Sequence, residues 1–253
     1  MLIHCQLLAA LLVLTLHGRV RAAEIIGGRV AAPHSRPYMV LLSLQMEDEQ
    51  MYYCGGFLLN EDFVMTAAHC RGRSTTVILG LHNLEEGNGE PRIPVAQSFP
   101  HKDYNATNYR NDIMLLQLRS KANFTEHVRP IALADKSDVA LPKSCLVSGW
   151  GTSAEQTNYL SNLLMEVNVT LIDSKKCAGK NLYCSEDKTG PNKGDSGGPL
   201  VCGGKAYGVV SSTFTPKSGG PKIHCFAKIP DFRGWVRSTM TTALKSSRHT
   251  RDD

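Results

Sequence analysis

The segment Gly194-Asp195-Ser196-Gly197-Gly198-Pro199 is the stretch that decides the fold of this chain, because two upstream fragments match it in chemistry. They are Thr66-Ala67-Ala68-His69-Cys70 and Asn111-Asp112-Ile113-Met114-Leu115-Leu116, which supply a histidine and an aspartate in the order His, Asp, Ser. A serine hydroxyl is a poor nucleophile at neutral pH until a base takes its proton, and a buried carboxylate must hold that base in one tautomer. Together the fragments predict an acyl-transfer site made of His69, Asp112 and Ser196.

Five fragments in this order resemble the chymotrypsin-like serine proteases, and the resemblance covers essentially everything after residue 24. The two further fragments are Ile25-Ile26-Gly27-Gly28 and Gly149-Trp150-Gly151. A glycine-rich turn or a buried histidine could explain one fragment alone, but not all five. The resemblance implies an all-β fold of two six-stranded antiparallel Greek-key β-barrels with a C-terminal α-helix. The active site would lie between the barrels, with His69 and Asp112 from the first and Ser196 from the second.

Short strand-like runs between turn signals also favour an all-β fold, although the pattern alone does not choose between a sandwich and a barrel. With the resemblance, we expect the first barrel over about residues 25–130 and the second over about 140–230, joined by the polar segment 129–143. After Pro230, apolar residues recur at helical spacing. This predicts a C-terminal helix over about 231–245 with Asp231 as its N-cap.

The N-terminus predicts a secretory signal peptide over residues 1–22. Its apolar run from Leu7 to Leu16 is too short to span a bilayer, and Val20 and Ala22 are small residues at the spacing used for cleavage. Cleavage after Ala22 would leave an activation dipeptide, residues 23–24, before a serine protease domain over 25–253. We therefore expect the secretory pathway, with storage in a secretory granule and release outside the cell. No later segment predicts a membrane span, and a net charge of +5 does not require nucleic acid as a partner.

The cysteines fit an oxidising compartment. Cys5 would leave with the signal peptide, and the absence of a Cys-x-x-Cys pair argues against a zinc module. The resemblance implies three disulfides, which are Cys54–Cys70, Cys145–Cys202 and Cys177–Cys184. Cys225 is left over, as a buried thiol or, less favoured, in a mixed disulfide.

Two surface features accompany these cysteines. Sequons at Asn105, Asn123 and Asn168 permit glycans on exposed loops. The basic tail from Lys245 to Arg251 is either a solvated end or a binding site for an anionic matrix such as a proteoglycan.

The resemblance also assigns roles in the reaction. Ser211 would hydrogen-bond Asp112, and the backbone of Ser211, Ser212 and Thr213 would pair with the substrate as an extra strand. The N–H groups of Gly194 and Ser196 would form an oxyanion hole.

Activation is implied in the same way. Removal of Ala23-Glu24 would free the α-ammonium of Ile25, which would pair with Asp195. A buried carboxylate without a partner is costly, so this ion pair would hold the oxyanion loop in shape. The form that retains the dipeptide is therefore expected to be latent.

Within this family, the chain resembles the granzyme, chymase and cathepsin G branch of leukocyte granule proteases. The resemblance rests on the segment Pro33-His34-Ser35-Arg36-Pro37-Tyr38-Met39, the acidic dipeptide, Asn192 in place of a cysteine, and Lys193. The primary pocket, which takes the residue before the scissile bond, would have Gly190 as its floor. Trypsin-like relatives carry an aspartate there, so cleavage after Lys or Arg is not expected.

The walls of the pocket would include His224 and Thr213, and Thr213 would narrow the entrance. A protonated His224 would accept an acidic side chain. A neutral His224 would suit an apolar or aromatic one. A His224 that is hydrogen-bonded to the backbone would not read the substrate at all.

Two functions remain open at this point. The first is a monomeric endopeptidase that acts on protein or peptide substrates without a cofactor or metal and is a target for serpin-type inhibitors. The alternative is a catalytically weak or inactive granule protein that binds anionic proteoglycan or microbial surfaces. Such relatives have usually lost the histidine or the serine, and this chain retains His69, Asp112 and Ser196, which favours the enzyme.

Overall fold

The structure, a computed structural model, describes residues 25, 27–87, 89–138, 144–152, 159–173, 177, 180–217 and 219–252, with the backbone alone for 248–252. The expected signal peptide (1–22), the dipeptide (23–24) and residues 139–143 of the expected connection lie outside the described residues. The elements are β1 (Arg29–Val30), β2 (Met39–Gln45), β3 (Met51–Leu58), β4 (Phe63–Thr66), β5 (Ser74–Leu79), β6 (Arg92–Pro100), β7 (Met114–Leu118), β8 (Ser144–Gly149), β9 (Met165–Ile172), β10 (Leu182–Asp187), β11 (Pro199–Cys202), β12 (Lys205–Phe214), β13 (Lys222–Lys228) and α1 (Ile229–Asp252).

The first barrel is closed by six antiparallel strands in the order β2-β3-β4-β7-β6-β5. Its strands are rich in β-branched and large apolar residues, and Phe57, Phe63 and Leu115 are fully buried in its interior. The turn after β4 carries His69, and the residues just before β7 carry Asp112. Because β4 and β7 are neighbours, with Thr66 opposite Met114, the fold brings these two side chains to one end of the barrel.

The second barrel consists of β8 to β13, in the order β9-β10-β13-β12-β11-β8, and pairing of β8 with β9 closes it. The loop before β11 carries Ser196, and the long strand β12 carries Ser211 to Thr213. The predicted all-β architecture of two six-stranded antiparallel barrels and a C-terminal helix is confirmed.

Two expected boundaries differ from the structure. Strand β1 pairs with β9, with Arg29 opposite Glu166, so the segment that begins at Ile25 belongs to the second barrel and not to the first. Helix α1 runs over Ile229–Asp252, longer than the expected 231–245, and Asp231 lies in its first turn instead of at the N-cap. An acidic side chain in that turn still stabilises the helix through the N-terminal end of its dipole.

Helix α1 packs against the barrels through one apolar face, since Phe232 and Val236 belong to the same buried cluster as the core of the first barrel. The remaining faces of the helix are largely polar. No described helix combines the length and the apolar character that are needed to cross a bilayer.

Three disulfides join the pairs that the resemblance implied, and they are Cys54–Cys70, Cys145–Cys202 and Cys177–Cys184. The first links β3 to the turn that carries His69, so it constrains that turn against the barrel wall. Cys225 is a buried free thiol whose pKa is raised by burial.

A buried carboxylate fastens β1 to the second barrel. Glu166 on β9 is 4% exposed, and its two oxygens lie 2.7 Å from the guanidinium of Arg29 and 2.8 Å from that of Arg36. Arg36 belongs to the segment that leads into the first barrel, so one carboxylate holds the N-terminal segment, the first barrel and the second barrel together. A buried carboxylate that bridges two cations loses both partners when its charge is removed.

We expect Glu166→Gln to lower the free energy of unfolding by about 2 to 3 kcal/mol, because the two guanidinium groups lose their shared anion. We expect a smaller loss of stability than for a fully buried ion pair, because the Arg29 side chain is 63% exposed. Urea denaturation of the two proteins measures the difference.

The matched control is Glu61→Gln, which removes the exposed ion pair between Glu61 and Lys121. We expect a change below about 0.5 kcal/mol, since exposed pairs contribute little. Equal effects of the two substitutions would contradict the role given to Glu166.

Candidate active site

The centre of the site is the carboxylate of Asp112, which is fully buried. Its Oδ2 lies 2.7 Å from Nδ1 of His69 and accepts a hydrogen bond of 2.7 Å from Ser211 Oγ. Its Oδ1 accepts a bond of 3.0 Å from the backbone N–H of His69. The imidazole is therefore held in one orientation, with Nε2 directed away from the carboxylate.

Ser196 lies on a loop that is tied to both barrels. Its carbonyl accepts a hydrogen bond of 2.7 Å from the N–H of Gly55 on β3, and the N–H of Gly197 donates to Val210 on β12 at 2.8 Å. Ser196 and His69 line the same clefts, although Ser196 Oγ makes no hydrogen bond to the described residues. Hydrogen bonds of this kind are often long before substrate binds.

Two backbone donors beside the serine are free. Among the described residues, the N–H groups of Gly194 and Ser196 have no acceptor. Gly194 has φ of +94°, and a Cβ there would come within 2.6 Å of Leu160. Glycine tolerates this positive φ and avoids the contact with Leu160. The two free N–H groups can stabilise an anionic oxygen.

Asp195, in the same loop as Ser196, is the second buried carboxylate of the site. It accepts backbone hydrogen bonds of 2.8 Å from Gly151 and from Asn192, and it has no cationic partner among the described residues. Burial raises the pKa of the Asp195 carboxyl to about 6, against the opposing effect of those two hydrogen bonds. Ile25, the first described residue, is also fully buried and packs in the core of the second barrel.

Two clefts meet at the serine. One, of about 430 Å³, runs along Ser211, Ser212 and Thr213 on β12. The other, of about 660 Å³, lies on the side of β3 and the first disulfide. They share only His69, Lys193 and Ser196 as lining residues, so an extended chain can cross the serine from one cleft to the other.

The expected primary pocket is occupied by the chain's own histidine. His224 is 2% exposed, and its Nδ1 is hydrogen-bonded to Thr213 Oγ1 at 3.0 Å. Its ring lies against Gly190, where a Cβ would come within 2.6 Å of His224 Nε2. Neither His224 nor Gly190 lines the cleft along β12, whereas Thr213 does. The ring of His224 therefore occupies the space directly against Gly190.

The protonation of His224 follows from this burial. Its pKa is lowered, first by burial and then by the charge of Lys222, while Asp187 and nearby backbone groups act in the opposite direction. The lowered pKa favours the neutral ring, which cannot serve as the counter-charge for an acidic substrate side chain.

Asn192 and Lys193 occupy the loop before Gly194. The side-chain amide of Asn192 donates to the carbonyl of Thr152 at 3.0 Å and contacts its hydroxyl at 2.9 Å. These bonds hold the loop that precedes Gly194 against Thr152. Lys193 is exposed at the junction of the two clefts.

Some residues at the site were not predicted from the sequence. The ring of Tyr109 meets that of His69 edge-on, with centroids 5.6 Å apart, and lines the cleft along β12. Its position three residues before Asp112 was the only available signal. Met51, Tyr52 and Tyr53 line the larger cleft and gave no signal at all.

The sequons are outside this site, and all three asparagines are exposed. Asn105 and Asn123 lie outside the regular elements, as expected, but Asn168 lies within strand β9 instead of a loop. Its side chain faces solvent because neighbouring residues on a strand alternate between the two faces.

Comparison with known proteins shows the family to which the chain belongs. A family model described as Trypsin matches residues 25–236. Granzyme B(G,H) of Mus musculus is 43% identical over 251 residues, which cover 94% of this chain and 100% of the relative. Granzyme B of Homo sapiens is 42% identical over 248 residues, covering 93% and 98%. Cathepsin G of Mus musculus is 42% identical over 231 residues, covering 87% and 86%.

The fold comparison agrees. The solved structure of GrC matches with a TM-score of 0.75 and 36% identity, covering 86% of this chain and 100% of that one. Neuropsin, a serine protease of mouse brain, matches with a TM-score of 0.73 and 35% identity, covering 85% and 100%. This chain therefore belongs to the trypsin family and is a chymotrypsin-like serine endopeptidase of the branch that includes the granzymes and cathepsin G.

Proposed function

We propose that this chain cleaves peptide bonds after small apolar residues through an acyl-enzyme formed on Ser196. The observation that carries the proposal is the buried carboxylate of Asp112, which fixes His69 beside a serine flanked by two free backbone donors. The reaction class follows from the family, and the geometry supports the roles that we propose for the individual residues.

The reaction begins when Ser196 Oγ attacks the substrate carbonyl and Nε2 of His69 takes its proton. Asp112 stabilises the imidazolium, and the N–H groups of Gly194 and Ser196 stabilise the developing oxyanion. His69 then gives the proton to the leaving amine, which breaks the carbon–nitrogen bond. Water attacks the acyl-enzyme with His69 again as the base, and Ser196 is regenerated.

Substrate binding on the acyl side uses the backbone of β12. Ser211 to Thr213 line the cleft beside Ser196 and lie at the end of a strand, so a substrate segment can add to them by main-chain hydrogen bonds. This mode supplies affinity without much side-chain selectivity.

Selectivity at the residue before the scissile bond follows from His224. A neutral, buried ring fills the pocket above Gly190, and it favours a small apolar side chain over an acidic, basic or aromatic one. Of the alternatives left open by the sequence, the acidic preference is disfavoured by the lowered pKa and the aromatic preference by the lack of space.

Activation is proposed to occur by removal of Ala23-Glu24. In the full-length chain Ile25 carries a peptide bond, and Asp195 lacks a cationic partner among the described residues. A free α-ammonium at Ile25 would supply that partner and fix the loop that presents Gly194. The form that retains the dipeptide would be latent.

The setting is proposed from the sequence. We infer entry into the secretory pathway, storage in a granule and release outside the cell, with glycans at Asn105, Asn123 and Asn168. Serpin-type inhibitors and anionic proteoglycan are the proposed partners of a monomer. The exposed asparagines and the basic C-terminal tail support these inferences.

The test of the catalytic roles uses protein that begins at Ile25 and peptide p-nitroanilides with alanine or valine before the anilide. We expect Ser196→Ala to lower kcat/KM by at least about a thousandfold, and Asp112→Asn to lower kcat by roughly 10⁴-fold because the imidazole loses its orienting partner. Ser238→Ala, an exposed serine on helix α1, is the control and should keep full activity. If the unchanged protein were no faster than Ser196→Ala, the alternative of a non-catalytic binding protein would replace this proposal.

The role of His224 is tested by His224→Ala, which empties the pocket. We expect kcat/KM for leucine or phenylalanine before the scissile bond to rise by about tenfold or more relative to alanine, since a pocket that accepts the extra methylenes gains about 1 to 3 kcal/mol. Thr213→Val removes the hydrogen bond to His224 but keeps the bulk of the side chain, so it should leave the profile largely unchanged. An identical profile for His224→Ala would exclude His224 from specificity.

The role of Asp195 gives a pH dependence in protein that retains Ala23-Glu24. The pKa of the Asp195 carboxyl is about 6 in the folded chain, above its ordinary value of 3.8, so the folded state holds the proton to higher pH. Its contribution to stability is therefore complete below about pH 3.8 and is lost as the pH rises through 6, by about 3 kcal/mol in all. Urea denaturation between pH 4 and 7 measures this loss.

Asp195→Asn in the same extended protein removes the titrating group and should flatten that part of the profile. Protein that begins at Ile25 should also lack the loss, because the ammonium favours the ionised carboxylate. Parallel profiles for all three proteins would contradict the role of Asp195.

A further inference from the structure

The larger cleft beside Ser196 is not used by the acyl side of the reaction. It has a volume of about 660 Å³ and contains His69, Gly194 and Ser196 among its lining residues. Ser211 to Thr213, which would bind the acyl half of a substrate, line the other cleft and not this one. An extended peptide whose acyl half lies along β12 must place its leaving half in the larger cleft.

The outer wall of this cleft carries three exposed residues with large apolar surfaces. Met51, Tyr52 and Tyr53 are 50%, 52% and 41% exposed, and they are consecutive residues at the start of β3. The other large apolar side chains that the described residues expose are not consecutive in sequence, and they are Tyr109, Phe124, Tyr159 and Phe214. Successive side chains of a strand point to opposite faces, but all three of these residues line the same cleft. Large apolar side chains that are exposed along one cleft commonly mark a binding surface.

The apolar wall is also held in place. Strand β3 pairs with β2 along its length, with Gln45 opposite Met51, and the Cys54–Cys70 disulfide follows Tyr53 directly. Because that disulfide also fixes the turn carrying His69, the wall and the catalytic histidine keep one relative position. A surface that is already ordered loses little entropy when a ligand binds.

We propose that this cleft selects substrates by a large apolar side chain, preferably aromatic, within the first three residues after the scissile bond. The proposal rests on the proposed proteolytic function and deepens it. His224 fills the pocket on the acyl side, so the leaving half has the space and the apolar contact surface that the acyl half lacks. Arg71 and Lys193 line the same cleft without an ion pair among the described residues, and their positive charges disfavour lysine or arginine in the leaving half.

The test uses internally quenched peptides with one constant acyl half and with tyrosine, leucine, alanine or lysine placed in turn at the first, second and third positions after the scissile bond. Each rate is divided by that of a p-nitroanilide with the same acyl half, which has no leaving residues. We expect kcat/KM with tyrosine at the preferred position to exceed that with alanine by about tenfold or more, and lysine to be the poorest.

The variant that tests the wall is the double substitution Tyr52→Ala with Tyr53→Ala. The preference for tyrosine over alanine should fall to within about threefold in this protein. Phe124→Ala removes an exposed aromatic residue outside the cleft and should leave the preference intact. Equal rates for all leaving residues, or a preference that survives the double substitution, would overturn the proposal.

A second measurement separates this inference from the proteolytic function. Peptides that correspond to the leaving half alone, with tyrosine or alanine at the preferred position, are titrated by fluorescence anisotropy against the Ser196→Ala protein. Tighter binding of the tyrosine peptide by about tenfold, lost in the double substitution, supports the cleft even if no substrate is hydrolysed. Equal binding of the two peptides contradicts it whatever the rates are. If neither the anilide nor any quenched peptide is hydrolysed while the difference in binding persists, the proteolytic function is contradicted and the cleft is not.

Discussion

The burial of Asp112 is the constraint on which the site depends. A carboxylate without access to water is stable only when hydrogen bonds replace its hydration, and here the partners come from both barrels. His69 belongs to the first barrel and Ser211 to the second, so the carboxylate can be satisfied only when the two barrels are packed together. The interaction that orients the base therefore also reports that the cleft is assembled.

The second buried carboxylate, Asp195, lies on the other side of the serine and is satisfied less completely. Two backbone N–H groups bind it, yet burial still raises its pKa to about 6, whereas Asp112 has the imidazole and a hydroxyl beside it. The difference suits the two positions. A carboxylate that is paired in this way has a fixed geometry, while one that lacks a cation among the described residues can accept the charge that the proposed removal of Ala23-Glu24 would create.

Much of this fold and site could be predicted from the sequence because the decisive residues lie in short, local motifs. The architecture was predicted in this way and is confirmed, and the proposed roles of His69, Asp112 and Ser196 were predicted from the same motifs. The assignment of β1 to the second barrel could not be predicted, because a strand of two residues has no periodicity and depends on Glu166, more than a hundred residues away. The state of His224 was left open since its ring position and burial arise from Thr213 and Gly190 only after β12 and β13 pair.

The space around Ser196 differs between its two sides. His224 lies in the expected pocket on the acyl side, whereas the apolar cleft on the leaving side is open. Substrate selectivity requires contacts that differ between side chains, and main-chain pairing along β12 supplies almost none. With His224 occupying the pocket on the acyl side, the largest differential contacts available to a substrate come from Met51, Tyr52 and Tyr53 on the leaving side. The selection that we propose there would act while the leaving half is still attached, so it would affect acylation of the serine and not the later hydrolysis of the acyl-enzyme.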